Sequence, residues 1–599
     1  MKASIPDILT QRLRQAVEKI CGAAPVPAGL FVIRCNDEKF GDYQFNGALP
    51  LAKATQRKPR ELAEEIVKAL EVSDICAATD IAGPGFINFR LAPAFLAAQL
   101  AQVPAAPREG EMDRLGLSLA QAPERVVVDM SSPNLAKEMH VGHLRSSVIG
   151  ESVARILEFA GDAVERVNHV GDWGTQFGML VSHLRSVRPD VLDDPEHLAL
   201  DDLEVFYVAA KKHFDDDPAF AEEARRTVVA LQGGDAATQR IWRAFCQESL
   251  RHCHAVYDML GIDKLVDRGE SFYNDRLAPV VEELSAKGMV TRSEGADCIF
   301  LDGFTARDGT PLPMMVRKSD GGYLYASTDL AAAQHRLRDE AATRLIYVVG
   351  APQKQHFEML FAVLRKAGWA GPNVRLEHLA FGSMLGPDGK PFKTREGGTI
   401  KLKNLLEEAV ARARKVVEEH AAREGEARAF TPADMDRIAQ VVGIGAVKYF
   451  DLSHNLTTDY RFDWETMLSL EGNTAPYMLY AYARIRSIGR KAGVDMATLP
   501  VGAPLILEHD AEIALAKALV RFAETVQVLV RELRPSLVTD YLFDLTRAFS
   551  RFYDRKLGVR VVDAETAEQR ISRLRLCDLT ARVIRTGLYL LGIPTLEQM

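Results

Sequence analysis

The chain has 599 residues, 47% of them hydrophobic, with 74 basic against 82 acidic side chains and a formal charge of −8. That length provides for about four domains at ~150 residues each, and the acidic balance argues against a protein coated with nucleic acid. No apolar run approaches the ~18 residues of a membrane span, and Met1 to Thr10 carries neither a leader nor a transit pattern, so the cytoplasm is the expected location.

The segment from Met1 to about Gln121 reads as a small α+β unit, helical at Asp7 to Ile20 and Pro59 to Leu70 and strand-like at Phe86 to Leu91. A Pro- and Gly-containing linker from Ala105 to Pro123 closes it. From Arg125 short β-rich runs alternate with amphipathic helices, the pattern of a parallel sheet with crossover helices. The first such unit is the strand Val126 to Val128, a helix Leu144 to Phe159 stopped by Gly161, and the strand Val164 to Val170. The second is the strand Leu345 to Val349, the helix Glu358 to Lys366 and the strand Leu376 to Phe381. Between them, residues 185 to 290 read as a mostly helical insertion, and from about Leu402 nearly everything reads as helix. The expected fold is therefore α/β: a Rossmann-like parallel-sheet domain over 122–400, an α+β domain over 1–121, a helical junction over 401–470 and an all-helical domain over 471–599.

Charge is uneven along this order, the last segment holding 18 basic and 15 acidic groups, 15 of the cations being arginine. Arginine suits phosphate forks and base stacking, although a solvated helical surface accounts for many of them equally well. The seven cysteines form no C-x-x-C pair, as in a protein with reduced thiols. In His252-Cys253-His254, consecutive helical side chains point about 100° apart and do not converge on one ion, so no bound structural metal is expected.

Chemistry concentrates after the first parallel strand, in Ser131-Ser132-Pro133-Asn134-Leu135-Ala136-Lys137-Glu138-Met139-His140-Val141-Gly142-His143. A strand-to-helix turn presents free amides and the positive end of a dipole to an anion, and Gly142 is expected to let a nucleotide lie close to the backbone. His140 and His143 would then stabilise charge developing on a phosphate. Their three-residue spacing with an intervening glycine differs from the four-residue spacing of a zinc-protease pair.

The motif resembles the signature of class I aminoacyl-tRNA synthetases, and its flanks, with Asn168-His169-Val170-Gly171-Asp172-Trp173-Gly174-Thr175-Gln176-Phe177-Gly178, resemble the arginine branch. Matches at Phe40 to Gln44, Gly85 to Phe89, Gly322 to Tyr325, Thr328-Asp329, Asp463-Trp464 and Glu471 to Tyr477 carry the resemblance over essentially the whole chain. It implies activation of arginine by ATP with Mg2+, transfer to tRNA(Arg), and a monomer without membrane attachment. The second signature is only loosely kept, in Lys390-Pro391-Phe392-Lys393-Thr394. The resemblance implies Lys390 and Lys393 as cations for departing pyrophosphate, Lys137 as a compensating cation, and His140, Gly142, His143, His356 and Met384 at ATP. It implies Asp129 and Asp329 as guanidinium acceptors beside Tyr325, with Ser131, Asn134 and Gln353 at the other end of the amino acid. For tRNA it implies Asn473, Tyr477 and Arg484 in the helical domain, and Phe86 with Asn88, alternating on one strand face, at an unpaired base. A synthetase for another amino acid, a small-molecule adenylyltransferase and a non-catalytic RNA-binding relative are the alternatives.

Overall fold

The computed structural model describes residues 4–22, 31–108, 110–120, 122–189, 198–200, 202–306, 308–390, 400–423, 430–554, 556 and 559–599. They fall into two compact units, one built from 1–121 with 470–590 and 594–599, the other from 122–469 with 591–593.

In the first unit Ser4 opens the helix Ile5–Cys21 through a reciprocal capping box with Asp7, and Leu9, Leu13 and Val17 form its buried stripe. An antiparallel sheet runs in the spatial order Val32–Arg34, Tyr43–Phe45, Phe86–Leu91, Cys76–Ala82. The long helices Ala475–Ala492, Ser536–Phe552 and Ala567–Leu590 belong to the same unit. Polar groups of the N-terminal segment pair with helices of the same unit, among them Asp510–Val520 and Phe522–Glu532. The Tyr43 hydroxyl donates to Glu524 Oε2 at 3.1 Å, and Lys517 pairs with Asp42 at 2.8 Å. The linker contributes buried Asp113, whose carboxylate accepts from Arg582 Nε at 2.7 Å and Nη2 at 3.0 Å. Such a two-pronged pair is strong, because the planar guanidinium matches the carboxylate geometry.

The second unit is organised by a five-stranded parallel sheet: β1 (Arg125–Asp129), β2 (Ala163–Asn168), β3 (Leu265–Asp267), β4 (Arg344–Tyr347) and β5 (Arg375–His378), in the order β5-β4-β1-β2-β3. Central β1 is buried from Val126 to Asp129, which is why it reads as a continuous apolar run. Helix α1 (Gly142–Ala160) follows it and ends at Gly161, whose φ of 106° is the left-handed stop expected there.

Two features depart from the sequence reading. The expected insertion over 185–290 does contain the helices Leu203–Asp216, Pro218–Gln232 and Ala236–Leu260, but it also contains β3, an edge strand of the main sheet. Three residues of intermediate or full exposure at an edge leave no periodicity to detect. The strands Val290–Ser293, Ala296–Thr305 and Pro311–Arg317 form a separate antiparallel sheet that the sequence pattern did not reveal. The helices Leu402–Arg423, Pro432–Ser453 and Trp464–Leu468 lie in the unit of the parallel sheet.

Replacing one partner of a buried ion pair strands the other, at a cost of about 3–5 kcal/mol. Asp113→Ala should therefore lower the thermal melting temperature of the first unit by several degrees while leaving Arg582 in place. A melting curve that coincides with that of the unchanged protein would show that the pair is replaced by solvent without loss.

Candidate active site

The chain leaves β1 at Asp129 and enters a turn in which two consecutive non-glycine residues, Ser131 (φ 66°) and Ser132 (φ 53°), are left-handed. Each such residue costs about 1–3 kcal/mol and persists only where its surroundings over-determine it. Here they do. Ser131 N–H donates to Ser146 Oγ (2.8 Å) and Ser132 N–H to Asn168 Oδ1 (2.9 Å). Ser131 Oγ lies 2.8 Å from the Tyr257 hydroxyl and accepts from Ser147 Oγ at 3.0 Å. Ser132 Oγ donates to Asp129 Oδ1 at 3.1 Å.

Beyond the turn, the backbone sets both histidines. His140 N–H donates to His143 Nδ1 (3.1 Å) and Gly142 N–H to His140 Nδ1 (3.0 Å), and the rings lie 4.0 Å apart between centroids. A ring nitrogen that accepts is unprotonated, so each neutral imidazole carries its proton on Nε2. Burial keeps them neutral: it lowers the pKa of His143 to about 3, helped by neighbouring His140, and lowers that of His140, helped by Lys137. Gly142, expected to make room for a nucleotide, makes it for a histidine: a Cβ there would sit 2.7 Å from His140 Cε1. The turn is also bonded to the residues that lead into the helix Leu402–Arg423, through Val141 N–H to Ile400 O (3.1 Å) and Leu402 N–H to Met139 O (2.9 Å).

A cleft of about 1090 Å³ opens over the carboxyl ends of β1 and β4. Of the residues singled out in the sequence it is lined by Asp129, Ser131, His140, Gly142, His143, Tyr325, Asp329, Gln353 and His356. Asp329 stands in the second turn of α2 (Tyr325–Arg338), below Tyr325, which is 63% exposed at the mouth. His356, expected at ATP, has Nε2 2.6 Å from Asp329 Oδ2, and its ring is 5.0 Å from that of Tyr325. His356 thus stands in the cleft beside Asp329 and Tyr325, the residues expected at the amino acid. Asp129 is nearly buried, with Oδ2 2.8 Å from Arg336 Nη2.

Other residues lie outside the lining. Met384 is buried in the short strand Met384–Leu385, which pairs with Tyr460–Arg461; its apolar side chain is taken up by packing. Asn134 is exposed, and its Oδ1 accepts from Ala136 N–H at 2.9 Å, as a turn-forming Asn does. Lys137 Nζ lies 4.4 Å over the Tyr207 ring, and Lys390 is exposed in the turn closed by Gly386 N–H to Lys390 O. Lys393 lies outside the described residues.

Sequence reasoning missed two groups in the lining, His169 and Glu270. His169 sits inside the quoted 168–178 match without an assignment, its Nε2 3.9 Å from Asp329 Oδ1. Glu270 has no motif around it. Its place follows from Asp172, whose carboxylate accepts from Ser271 N–H (2.8 Å) and Ser271 Oγ (2.5 Å) and lies so close to Gly269 that a Cβ there would be 2.1 Å from Oδ2. Burial, with Asp172 and Asp329 nearby, pushes Glu270 up to about 7.

In the first unit, Arg484 lines a cavity of about 440 Å³ with Ser487, Lys491, Ser550, Tyr553 and Lys556, its Cζ 5.2 Å over the Tyr553 ring. Asn473 donates to Asp540 at 3.2 Å, and the Tyr477 hydroxyl is 3.4 Å from Ser550 Oγ, at the edge of that cavity. Phe86 is half-buried, whereas Asn88 is buried with Oδ1 accepting from Gln44 Nε2 at 2.6 Å. Asn88 is therefore not displayed beside Phe86 as expected: the strand has neighbours on both sides, and Gln44 stands opposite it in register.

Residues 113–464 match the family described as tRNA synthetases class I (R), catalytic domain; residues 478–599 match the DALR anticodon binding domain, and residues 7–91 the arginyl tRNA synthetase N terminal domain. The arginine–tRNA ligase of a Nostoc species is 50% identical over 98% of both chains, and that of a Picosynechococcus species is 47% identical over 100% of both. Among solved structures, arginyl-tRNA synthetase from Plasmodium falciparum superposes with a TM-score of 0.85 at 28% identity over 100% of both chains, and that from Thermus thermophilus with 0.78 at 25% over 99% of this chain and 100% of its own.

The depressed pKa of His143, about 3, has a consequence for stability. It lies below the unfolded value of ~6.5, so the unfolded chain binds the proton first, and the neutral ring stabilises the fold above that value and loses this contribution as pH falls toward 3. Between pH 7 and pH 5 the loss from one such group reaches ~2 kcal/mol. His143→Asn, which does not titrate, should show a correspondingly smaller drop in denaturant midpoint over that interval, and equal drops would place the His143 ring in contact with water.

Proposed function

The chain belongs to the class I arginyl-tRNA synthetases, activating arginine with ATP and esterifying it to tRNA, and on that premise we propose how its own residues carry the reaction. The observation that supports the reading best is the single cleft in which two neutral Nε2–H imidazoles face a set of carboxylates.

The α-carboxylate of arginine is already ionised at pH 7, so its oxygen attacks the α-phosphorus without a general base, and the bond to pyrophosphate breaks as that group takes the electron pair. His140 and His143 donate their Nε2 protons as hydrogen bonds to the phosphate oxygens on which charge accumulates, and the amino end of α1 adds its dipole. Neutral donors suit this step because their hydrogen bonds strengthen with the developing charge, without holding ground-state ATP as a fixed cation would. Lys137 and Lys390, both exposed outside the cleft lining, and Lys393 assist pyrophosphate departure. In the second step a ribose hydroxyl of the 3′-terminal adenosine attacks the activated carbonyl, and AMP leaves.

For the substrate side chain, Asp329, Asp129 and Glu270 accept the guanidinium, with Tyr325 over the entrance. Ser131, Asn134 and Gln353 serve the α-amino and α-carboxyl end, Ser131 chiefly through the turn it shapes, since its hydroxyl is engaged by Tyr257 and Ser147. His356 acts through Asp329, and Met384 supports the nucleotide side by packing. Arg484, stacked on Tyr553 in a cavity with two lysines, receives an anticodon base, with Asn473 and Tyr477 shaping its rim. Phe86 stacks on a second unpaired base, and Asn88 with Gln44 forms the polar pair beneath it. Among the described residues no group of three or more His, Cys, Asp or Glu side chains could hold a metal ion. Mg2+ would arrive with ATP and screen the charge of its phosphates. We further propose that the protein works as a monomer in the cytoplasm, the setting that its resemblance to the arginine family implies; no described helix is long and apolar enough to cross a membrane.

Charging total tRNA with each of the twenty amino acids should give product with arginine alone, and Asp329→Asn should cut kcat/KM for arginine at least about tenfold, the value of one charge-assisted hydrogen bond, while the KM for ATP holds. Charging with a different amino acid, or an Asp329→Asn enzyme with unchanged arginine kinetics, would overturn the assignment.

Glu270 offers a second measurement. With its pKa near 7 it ionises as pH rises from 6 to 8, and only the ionised form attracts a guanidinium. The arginine KM should fall over that interval, and Glu270→Gln should flatten the profile. A profile unchanged by the substitution would remove Glu270 from the pocket.

A further inference from the structure

Beneath the amino-acid end of the cleft lies a second guanidinium, the chain's own. Arg336 stands on α2 seven residues beyond Asp329, which on a helix of 3.6 residues per turn returns it to within about 20° of the same line. Asp329 faces the cleft from this stripe, and Arg336, only 1% exposed, reaches under it to place Nη2 2.8 Å from Asp129 Oδ2. Its Cζ lies 5.5 Å over the ring of Tyr347, the residue beside Asp129 in the register of β1 and β4. Among the described residues Asp129 is the one carboxylate in an ion pair with Arg336. A buried guanidinium is tolerated only when paired, and here Asp129 is the largest charge offsetting its burial, with the phenols of Tyr347 and Tyr273 next.

We propose that Arg336 is a positioning residue for amino-acid recognition: acting through Asp129, its buried guanidinium holds that carboxylate toward the cleft for the guanidinium of the substrate. The inference rests on the reading of Asp129 as an acceptor. With Oδ2 in an ion pair with Arg336 behind it and Oδ1 accepting from the Ser132 hydroxyl, both oxygens of the carboxylate are engaged, and each keeps a further lone pair. Asp129 then contributes direction more than net charge, because Arg336 has already balanced it. The net negative charge that selects a cationic side chain comes from Asp329 and Glu270. Two guanidiniums, one resident and one arriving, share a single carboxylate, and the resident one determines where the other docks.

Steady-state aminoacylation at saturating tRNA tests this with Arg336→Met, Arg336→Lys, Asp129→Asn and the double variant Arg336→Met/Asp129→Asn. Arg336→Met and Asp129→Asn should each raise the arginine KM at least about tenfold and leave the ATP KM within about twofold, Arg336→Lys should recover part of the loss, and the double variant should be no worse than Asp129→Asn alone. Multiplying effects in the double variant, an arginine KM unmoved by Arg336→Met, or arginine and ATP constants raised alike would overturn the proposal. An Asp129→Asn enzyme with an ordinary arginine KM would instead remove Asp129 as an acceptor, a distinct result. Should Arg336→Met fail to fold, Arg336→Lys with and without Asp129→Asn reads the same coupling.

Discussion

Everything in the cleft depends on one register, the parallel pairing that sets Asp129 at the end of β1 beside Tyr347 at the end of β4. From β1 the chain continues toward β2 on one side, and from β4 toward β5 on the other. Where neighbouring strands send their connections in opposite directions, a crevice opens at their carboxyl ends, and ligands bind there in open α/β sheets. The turn after β1 brings Ser131, His140 and His143 to one wall, and the turn after β4 brings Gln353 and His356 to the other. Slipping that register by one residue would carry Asp129 and Tyr347 to opposite faces of the sheet and separate the histidines from the carboxylates.

Burial then determines which groups in the crevice are charged. The same loss of water that keeps His140 and His143 neutral raises Glu270 toward neutrality, so the cleft offers uncharged donors at the histidines and a carboxylate poised near pH 7 at Glu270. Asp329 is met by His356, and Asp129 by Arg336. In the proposed arrangement a substrate cation meets Asp129 already balanced by Arg336, which limits the cost of leaving that carboxylate buried in the empty pocket. The strained pair Ser131 and Ser132 is the local cost of bending the chain between these walls, and the hydroxyls around it hold the bend.

The signature turn is joined to residues 400–402 by backbone hydrogen bonds and by a side-chain ion pair. Residues 139 and 141 bond to residues 402 and 400, with an isolated bridge between His140 and Lys401. Lys401, at the centre of that bridge, pairs with Asp202 at 2.7 Å and Glu138 at 3.2 Å. A cation committed there leaves Lys137 and Lys390 as the described lysines of the two motifs that face outward.

The sequence by itself determined the parallel-sheet domain, the helix that Gly161 stops and the histidine turn, because each is encoded within a few residues as a period, a cap or a spacing, whereas Asp329 and Tyr325 came only with the family resemblance. It also showed residue types without their surroundings. Asn88 reads as a displayed amide until Gln44 is seen opposite it, Met384 as a nucleotide contact until its strand is seen packed, and Gly142 as space for ATP until the His140 ring fills it. Only the tertiary structure decided that β3 belongs to the main sheet, that Glu270 enters the cleft beside Asp172 and that Arg336 holds Asp129. The physical reason is common to all three. Local periodicity records which side of an element avoids water, whereas an ion pair or an edge pairing between distant segments leaves no local pattern, its partner being selected by the packing that brings the two together.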